Sequence, residues 1–465
     1  MRIKKKVYYL LFFIVLLGAF LRFWQLKSKS VFDFDQETLA WSAKRIVIDK
    51  RPTLIGMKAG PADIFIGPGM YYVYALVYFF SQMNPLGANI FAVLIGLVTS
   101  IVIFYVGQAL FGTSEALIAA FIYSFSFTIN DFDQRAWLLA PLMTFSLLFL
   151  LFCYLGAKKK DKKFLYLVFF ILGFSLHSHF SAFFFLFIFL LYFFWLCPLK
   201  LKFKDILLCG LILFFFFLPL IIFDLRHDFL NYKGMIKLFS STVRPINYFS
   251  RLIDLFRYTL ENQARIFIKN FPRVSVYFFF FPLFFLLRRI IKSKKEDDLV
   301  SRLFFLFIII PILTFLFYPG NVPEHYFIIT FPIYILLFSR MVVYFSGVFS
   351  WTKIPFVLFL GLFAVVNTFN VFTAVLPCYG LVHKEKVVKF IINHSRERPF
   401  NFYFATEAGL NTGFDYLFYY FKHQPSDEKE ELGYTIVMPY HYLGEKVDFQ
   451  TGAIGVIINR EEKKE

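Results

Sequence analysis

The chain has 465 residues, of which 59% are hydrophobic and 17% are charged, with a mean hydropathy of +0.64. A soluble protein keeps roughly a quarter of its residues charged, so this composition excludes an ordinary soluble enzyme. The net charge of +18 does not indicate a nucleic-acid partner. Its lysines and arginines gather in short clusters at the ends of apolar segments, as they do in membrane proteins.

Apolar segments recur along most of the chain, and about 20 such residues suffice to cross a bilayer as a helix. They predict an all-α polytopic membrane protein with about eleven spans. No cleavage site follows the first segment, so we expect a retained first helix and not a signal peptide. The predicted spans are 7–25, 87–108, 115–130, 136–156, 164–178, 180–197, 206–223, 274–287, 303–318, 324–342 and 354–376.

The distribution of cations predicts the orientation, because cytoplasmic loops carry an excess of lysine and arginine. Placing the N-terminus inside puts four basic clusters on the cytoplasmic face. We therefore expect a multi-pass protein of the cell (plasma) membrane with a cytoplasmic N-terminus. The four clusters are residues 2–6, 158–163, 200–204 and 288–295.

Three sizeable regions then face outward, namely the first outer loop at 26–86, a second at 224–273 and the tail. We predict a transmembrane domain over 1–378 and a small extracytoplasmic α/β domain over 379–465. The tail pattern is typical of helix, strand, helix and two strands. These elements are predicted at 387–393, 401–405, 415–422, 434–438 and 453–458.

One apolar segment, 70–83, is not predicted to cross the membrane. It is short, follows Gly67-Pro68-Gly69, and would reverse the charge pattern if it were a span. We expect an interfacial helix whose tyrosines lie at headgroup depth.

Three carboxylates, those of Asp33, Asp35 and Glu37, follow the first span directly. Carboxylates at a low-dielectric boundary are costly. A glycosyl transfer to a hydroxyl needs one to accept the acceptor proton, or to hold a divalent metal. Equally, they could form the solvated start of a helix over 38–48, with Asp35 as its N-cap.

A short outer loop between two predicted spans, at 131–135, contains Asp131, Asp133 and Arg135. The guanidinium offers a forked set of donors to a phosphate, or it snorkels to the headgroups and pairs with one of the two aspartates. His177 and His179 lie at the outer end of a span, where one of them could line a cavity or hydrogen-bond to a neighbouring helix. Two histidines at i,i+2 do not share a helix face, so this pair alone does not predict a metal site.

Later outer segments contain further candidate site residues. Arg226 opens a basic amphipathic region that suits either lipid phosphates or simple membrane anchoring. Glu324 and His325 start another predicted span. No glycine-rich phosphate loop is visible, so the sequence does not predict an ATP-driven pump.

This pattern resembles the GT-C superfamily of glycosyltransferases. It is more closely similar to the family 39 group, which contains protein O-mannosyltransferases and aminoarabinose transferases of lipid A. Phe34-Asp35-Gln36-Glu37 resembles the Asp-Glu motif of that group's first loop, which implies that Asp35 is catalytic or holds a metal. Gln36 stands where the group usually has Glu, so the second carboxylate falls to Glu37 or Asp33.

Two further stretches resemble the same group. Gly67-Pro68 with Tyr71-Tyr72 is similar to the loop and interfacial helix of bacterial members. Gln134-Arg135-Ala136-Trp137 with Pro141 resembles its Ser-Arg-x-x-Trp-Asn-Pro stretch, although Leu138-Leu139 replaces the Asn-Pro. His179 matches a histidine that the group has at the outer end of a middle span.

The resemblance implies an inverting transferase that moves a sugar from a polyprenyl-phosphate carrier to an outer protein, lipid or envelope glycan. Asp35, or else Asp33 or Glu37, would be the catalytic carboxylate, and Arg135 and Arg226 would hold the donor phosphate. No cofactor is certain, and a divalent metal, if one is required, would bind at Asp35. Residues expected to line the cavity are His179, His177, Asp133, Trp137, Tyr71, Tyr72, Glu324 and His325.

Two other functions stay open from the sequence. A lipid-linked sugar flippase or transporter would commonly show an internal repeat and ionisable groups at mid-membrane, whereas here we find no repeat and the ionisable groups gather at the outer surface. A glycan polymerase or ligase shares the donor chemistry. Such enzymes usually place key arginines and histidines in a late outer loop, and not an acidic group after the first span.

Overall fold

The computed structural model describes most of the chain, and residues Lys294 and Lys295 of the last predicted basic cluster lie outside the described part. The described residues are 4–58, 63–240, 247–269, 272–293, 298–318, 322–407, 409–440 and 446–460.

Helices dominate from the N-terminus to residue 372, and all eleven predicted spans coincide with one. The α-helices are α1 (Lys5–Phe23), α2 (Leu26–Lys29), α3 (Phe34–Val47), α4 (Gly69–Phe80), α5 (Leu86–Leu110), α6 (Thr113–Phe125), α7 (Phe127–Asp133), α8 (Leu142–Lys159), α9 (Lys163–Ser175), α10 (Phe183–Trp195), α11 (Phe203–Arg226), α12 (Leu230–Ser240), α13 (Tyr248–Arg265), α14 (Pro272–Lys292), α15 (Leu299–Leu316), α16 (Phe331–Val348) and α17 (Lys353–Phe372). Short 3₁₀ turns precede α10, α16 and α17, at Phe180–Ala182, Glu324–Thr330 and Ser350–Thr352.

The chain is an integral membrane protein, because seven helices of the described residues are long and apolar enough to cross a bilayer. These are α1, α5, α8, α11, α15, α16 and α17, the last two counted with their 3₁₀ turns. The predicted number of eleven is not confirmed. Three of the remaining predicted spans, α6, α9 and α10, have only 13 residues each, or about 20 Å of helix.

The loop predicted at 131–135 has different bounds in the structure. Helix α7 continues through Asp133, and α8 begins only at Leu142, after Pro141. The intervening residues 134–141 form no regular helix, so the predicted span start at residue 136 is wrong. Proline has no backbone N–H to donate and is therefore favoured at helix starts.

The tail forms the predicted α/β domain, with two helices and a four-stranded sheet. Strands β1 and β2 are parallel, whereas β4 pairs antiparallel with both β2 and β3, giving the order β1-β2-β4-β3. The sequence missed the three-residue strand β3. The elements are α18 (Leu381–Ser395), β1 (Asn401–Thr406), α19 (Phe414–Tyr420), β2 (Leu432–Met438), β3 (Phe449–Thr451) and β4 (Ile454–Arg460).

The tail domain shares a core with the first loop. One cluster of buried apolar side chains combines Leu39 of α3 and Tyr74 of α4 with Leu381, Tyr434 and Ile436 of the tail. The segment predicted as an interfacial helix forms α4, which shares this core with α3 and the tail domain.

Lys384 of α18 anchors the tail domain to the residues just before α3. Its side chain is 1% exposed. The ammonium donates to Asp33 Oδ1 at 2.8 Å, to the Phe32 carbonyl at 2.9 Å and to the Thr412 carbonyl at 2.8 Å. A buried ammonium is tolerated only when it is paired and hydrogen-bonded, so these contacts fix the start of α3.

Glu37 makes the second anchor. Its two carboxylate oxygens accept hydrogen bonds from the backbone N–H of Gly413 at 2.7 Å and of Tyr416 at 3.1 Å, at the start of α19. Gly413 has a φ of +91°, and a Cβ there would come within 2.2 Å of the Phe32 carbonyl oxygen. Only glycine allows so close an approach.

Arg22, at the end of α1, forms a buried ion pair with Asp133 at the end of α7. The guanidinium is fully buried and donates to Asp133 Oδ2 from Nη2 at 2.7 Å and from Nε at 2.9 Å. Its remaining donors reach the carbonyls of Gly18, Tyr123 and Ser124. This pair joins α1, α6 and α7 inside the bundle.

Four hydrogen bonds hold the irregular segment 134–141 in place. The amide of Gln134 donates to the Arg22 carbonyl at 2.6 Å, and the amide of Asn89 donates to the Gln134 carbonyl at 2.8 Å. Gln36 donates to the Ala136 carbonyl at 2.9 Å, and the hydroxyl of Tyr74 donates to the Trp137 carbonyl at 2.8 Å. The start of α3 and the segment after α7 are therefore direct neighbours.

Replacing Asp133 by Asn tests the buried pair. It leaves the Arg22 guanidinium buried without a carboxylate, and breaking a buried pair in this way costs about 3–5 kcal/mol. We expect a clear fall in the thermal unfolding midpoint of the purified protein. Asp131→Asn is the matched control, because Asp131 and Arg135 are each 43% exposed and exposed pairs contribute about 0–1 kcal/mol. Equal midpoints for the two variants would contradict this role.

Replacing Glu37 by Gln tests the anchor of the tail domain. Glutamine has one side-chain oxygen, so it can accept from only one of the two backbone N–H groups, those of Gly413 and Tyr416, that the carboxylate binds. The N–H group left without an acceptor costs about 1–3 kcal/mol when buried. We expect faster hydrogen exchange at the amides of residues 413–416, measured by mass spectrometry. Asp63→Asn in the same loop serves as control, because Asp63 is exposed. Unchanged exchange in Glu37→Gln would show that the anchor is not needed.

Candidate active site

The three carboxylates of the first loop have different surroundings. Asp33 is the N-cap of α3 in a capping box with Gln36, so the alternative in which Asp35 caps this helix is wrong. Asp33 and Glu37 are also engaged by the tail domain, as described above. Asp35 remains exposed, and no hydrogen bond or ion pair joins it to another residue of the described chain.

The surroundings of Asp35 favour a proton acceptor. Although the Asp35 residue is exposed overall, neighbouring protein atoms displace part of the water around its carboxyl group. This partial desolvation, with a smaller contribution from the charge of Asp33, raises the pKa of Asp35 above its ordinary value of 3.8. Both causes disfavour the charged form. The hydroxyl of Tyr71 on α4 is near enough to interact electrostatically with Asp35. A carboxylate with a raised pKa is a stronger base than an ordinary surface aspartate.

Gln36 has a structural role that explains why it is not a glutamate. Its amide oxygen accepts from the Asp33 backbone N–H at 3.1 Å, while its nitrogen donates to the Ala136 carbonyl. An ionised carboxylate could accept but not donate. Glutamine therefore serves both neighbours, and it joins the start of α3 to the segment that contains Arg135.

Arg135 lies at the edge of an aromatic group. Its Nη2 pairs with Asp131 Oδ2 at 2.6 Å, and the guanidinium lies over the rings of Phe132 and Trp137 at 5.4 and 5.6 Å. The interpretation of Arg135 as paired with an aspartate is thus correct, with Asp131 as the partner. Since a guanidinium has five N–H donors and this one is 43% exposed, donors remain for a ligand.

The aromatic group continues to two predicted histidines. Trp137 contacts His325 with ring centroids 5.7 Å apart, and His179 contacts His325 at 6.1 Å and Tyr326 at 4.7 Å. The imidazole of His325 lies close enough to the Arg135 guanidinium to interact with it electrostatically. Four residues predicted for the site, from three separate parts of the sequence, therefore come together.

Two polar atoms next to this group have no hydrogen-bond partner within the described chain. They are Trp137 Nε1 and Ser178 Oγ, both buried. Buried polar groups are nearly always paired, so an unpaired donor here is suited to a hydroxyl-rich ligand. No sequence pattern indicates a role for Ser178.

Glu324 makes an ion pair that the sequence did not predict. Its Oε2 lies 2.5 Å from Arg265 Nη1, and both side chains are about half exposed. Arg265 ends the amphipathic helix α13, so this pair holds the second outer loop against the turn that contains His325.

His177 supports the entry to α4. Its Nδ1 accepts from the Gly69 backbone N–H at 2.8 Å, and its Nε2 contacts the Phe216 carbonyl at 3.0 Å. A Cβ on Gly67 would lie 2.3 Å from the imidazole. The structure thus gives His177 the hydrogen-bonding role of the two alternatives, and not a cavity position.

The other predicted residues lie apart from this group. Asp133 is 3% exposed and forms an ion pair with Arg22. Its side chain is therefore buried between helices and does not line a cavity. The hydroxyl of Tyr72 donates to the Thr53 carbonyl at 2.8 Å, which fastens the first loop to α4. Arg226 is exposed at the end of α11, and neither a hydrogen bond nor an ion pair connects it with other described residues.

The donor set around Asp35 does not fit a metal ion held by protein ligands alone. In the described ranges no three His, Cys, Asp or Glu side chains are grouped so as to hold one. Asp33 and Glu37, the nearest carboxylates in sequence, bind Lys384 and backbone amides instead.

Part of the chain matches a known protein family. Residues 66–223 match the family model described as dolichyl-phosphate-mannose-protein mannosyltransferase. That match covers the interfacial helix α4, the Arg135 segment and both histidines of the 176–179 turn. No curated protein matches the sequence.

Solved structures match over most of the chain. ArnT from Cupriavidus metallidurans bound to undecaprenyl phosphate matches with a TM-score of 0.60 at 11% identity, over 97% of this chain and 98% of that one. Its apo form matches with 0.60 at 12% identity, over 96% and 97%. The archaeal oligosaccharyltransferase AglB from Archaeoglobus fulgidus, in complex with an inhibitory peptide and a dolichol-phosphate, matches with 0.52 at 12% identity. That match covers 84% of this chain and 58% of AglB.

Identities this low establish the fold and not the substrate. The chain therefore has the ArnT-like fold of the GT-C glycosyltransferases, and the resemblance predicted from its sequence is confirmed.

Proposed function

We propose that this protein is a membrane-embedded glycosyltransferase that takes a sugar from a polyprenyl-phosphate carrier and passes it to an extracytoplasmic acceptor. The observation that carries the proposal is the position of Asp35. It is the one first-loop carboxylate without a structural partner in the described chain, and Gln36 ties it to the segment of Arg135. The match to a mannosyltransferase family and the likeness to ArnT bound to undecaprenyl phosphate support it.

The reaction needs a base on one side of the sugar and a cation on the other. Asp35 accepts the proton of the acceptor hydroxyl as its oxygen attacks the anomeric carbon. The bond from that carbon to the phosphate oxygen breaks, and the polyprenyl phosphate leaves with the electron pair. A single displacement of this kind inverts the anomeric configuration.

Arg135 is the proposed partner of the leaving phosphate. Its guanidinium offers planar donors that match phosphate geometry, and the rings of Phe132 and Trp137 hold it in place. Negative charge grows on the leaving group in the transition state, so a cation fixed beforehand stabilises it selectively. Arg226, exposed at the end of α11, remains a second candidate for contact with the carrier.

The aromatic group beside Arg135 is the proposed sugar pocket. Trp137 and Tyr326 contribute aromatic rings. His325 contributes hydrogen-bonding atoms, as does His179 through Nε2, because its Nδ1 is already bonded to Ser181. Sugars combine apolar ring faces with hydroxyl groups, so this mixture suits a hexose or pentose. Tyr71 is 6% exposed, and its electrostatic interaction with Asp35 supports a role in tuning the proposed base.

The proposed orientation follows from charge. The clusters at 158–163 and 200–204 lie at the end of the bundle opposite Asp35, where α8 ends and α11 begins. Placing them in the cytoplasm puts Asp35, Arg135 and the tail domain outside. The tail domain is docked directly on the Asp35 loop, so we propose that it helps to choose the acceptor protein, lipid or envelope glycan.

Replacing Asp35 by Asn tests the proposed base directly. General base catalysis contributes roughly 10²–10⁴-fold, so we expect transfer of labelled sugar from synthetic polyprenyl-phosphate donors to fall by at least about a hundredfold. Asp63→Asn changes an exposed carboxylate in the same loop and should leave turnover intact. Full activity in Asp35→Asn would refute the assignment. Translocation of lipid-linked sugar by an inactive wild-type protein in proteoliposomes would instead indicate a transporter.

The pH dependence of turnover provides an independent test. The base must be ionised, and its raised pKa means that it is protonated at a higher pH than an ordinary aspartate. We expect the rate to fall, as the pH decreases, with a midpoint above 3.8. Asp33→Asn removes the neighbouring negative charge and should move this midpoint to lower pH. A rate that falls with the same midpoint in both proteins would contradict the coupling between the two aspartates.

A further inference from the structure

A basic cavity lies at the end of the bundle opposite Asp35. It has a volume of about 680 Å³ and lies among the ends of α5, α8 and α10 and the start of α15. This volume is within the range of small-ligand sites, roughly 300–1,000 Å³. Phenylalanines and leucines form part of its wall, together with four cations. The cations are Lys158, Lys160, Arg289 and Arg340.

Among the described residues that line the cavity, cations outnumber carboxylates. Arg289 pairs with Asp298 at 3.1 Å, and Arg340 pairs with the buried Glu115 at 2.5 Å. Asp298 is the only carboxylate among the described lining residues. Each arginine still has further N–H donors available.

The two lysines have no carboxylate partner in the part of the chain that the structure describes. Lys158 donates to the neutral Tyr154 hydroxyl at 2.7 Å, and no hydrogen bond or ion pair is formed by Lys160. Within the described residues, these two positive charges have no carboxylate partner. Both ammonium groups are therefore available to an anion at the mouth of the cavity.

Arg302 adds a further positive charge close to the cavity. Its guanidinium lies 5.3 Å from the ring centroid of Trp195, which lines the cavity. Arg302 is not itself a lining residue, so it contributes to the positive potential of the cavity and not to a direct contact.

We propose that this cavity binds the headgroup of an anionic phospholipid. The cations recognise the phosphate ester, while the phenylalanine and leucine walls suit the glycerol and the first acyl carbons. Basic pockets between transmembrane helices on the cytoplasmic side bind anionic headgroups, and the proposed orientation puts this cavity there. The proposal does not depend on sugar transfer, so either can fail without the other.

The test is a lipid titration of the full-length purified protein in neutral detergent. Phosphatidylglycerol and phosphatidylcholine are compared by the shift of the unfolding midpoint and by native mass spectrometry, with inorganic phosphate and glycerol 3-phosphate as soluble probes. The variant is Lys158→Gln with Lys160→Gln. Both lysines are exposed, and the midpoint in phosphatidylcholine checks that the variant is folded. The matched control, Lys200→Gln with Lys204→Gln, removes the same charge from exposed residues outside the cavity lining.

The wild type and the control should prefer phosphatidylglycerol, and the cavity variant should bind it at least about tenfold more weakly, because it loses two charge-assisted contacts. The soluble phosphates should not reproduce the shift. Equal binding of the two lipids, or equal losses in the cavity variant and the control, would overturn the proposal. A full shift with inorganic phosphate would overturn the lipid as the source of the headgroup.

Discussion

Two buried cations determine the geometry of the candidate site. Lys384 is buried between the tail domain and the first loop, and Arg22 is buried inside the helix bundle. Each needs a carboxylate, which Asp33 and Asp133 supply. These pairs fix the start of α3 and the end of α7. The residues proposed for catalysis lie two positions after these aspartates. Asp35 follows Asp33, and Arg135 follows Asp133.

The site therefore depends on the packing of three parts of the chain. Gln36 joins the Asp35 segment to the Arg135 segment, and the tail domain closes over the first loop through Glu37. A base and a phosphate-binding cation act together only if they are held in a fixed relation. Buried, fully hydrogen-bonded contacts supply that rigidity at a membrane surface where exposed loops alone would not.

Much of the fold could be predicted from the sequence, because hydropathy and charge act over short windows. All eleven apolar segments coincide with helices, and the tail elements lie within a few residues of their predicted bounds. Predictions were poorest where partners are distant in sequence. Arg22 and Asp133 are 111 residues apart, and Lys384 and Asp33 are 351 apart. A single sequence gives no sign of such pairs, so Asp133 was expected in a cavity and Asp33 and Glu37 could not be separated from Asp35. Arg135, Trp137, His179 and His325 belong to the larger group of residues predicted for the site. The structure brings these four together, and their roles stay proposals.

The most direct test of this account is an experimental structure of the protein with a polyprenyl-phosphate sugar bound. The account predicts that the phosphate lies within hydrogen-bonding distance of the Arg135 guanidinium and that the sugar occupies the group formed by Trp137, His179 and His325. The anomeric carbon would then face Asp35 across a gap open to an acceptor. A donor phosphate bound away from Arg135, or a sugar whose anomeric carbon is shielded from Asp35, would contradict it.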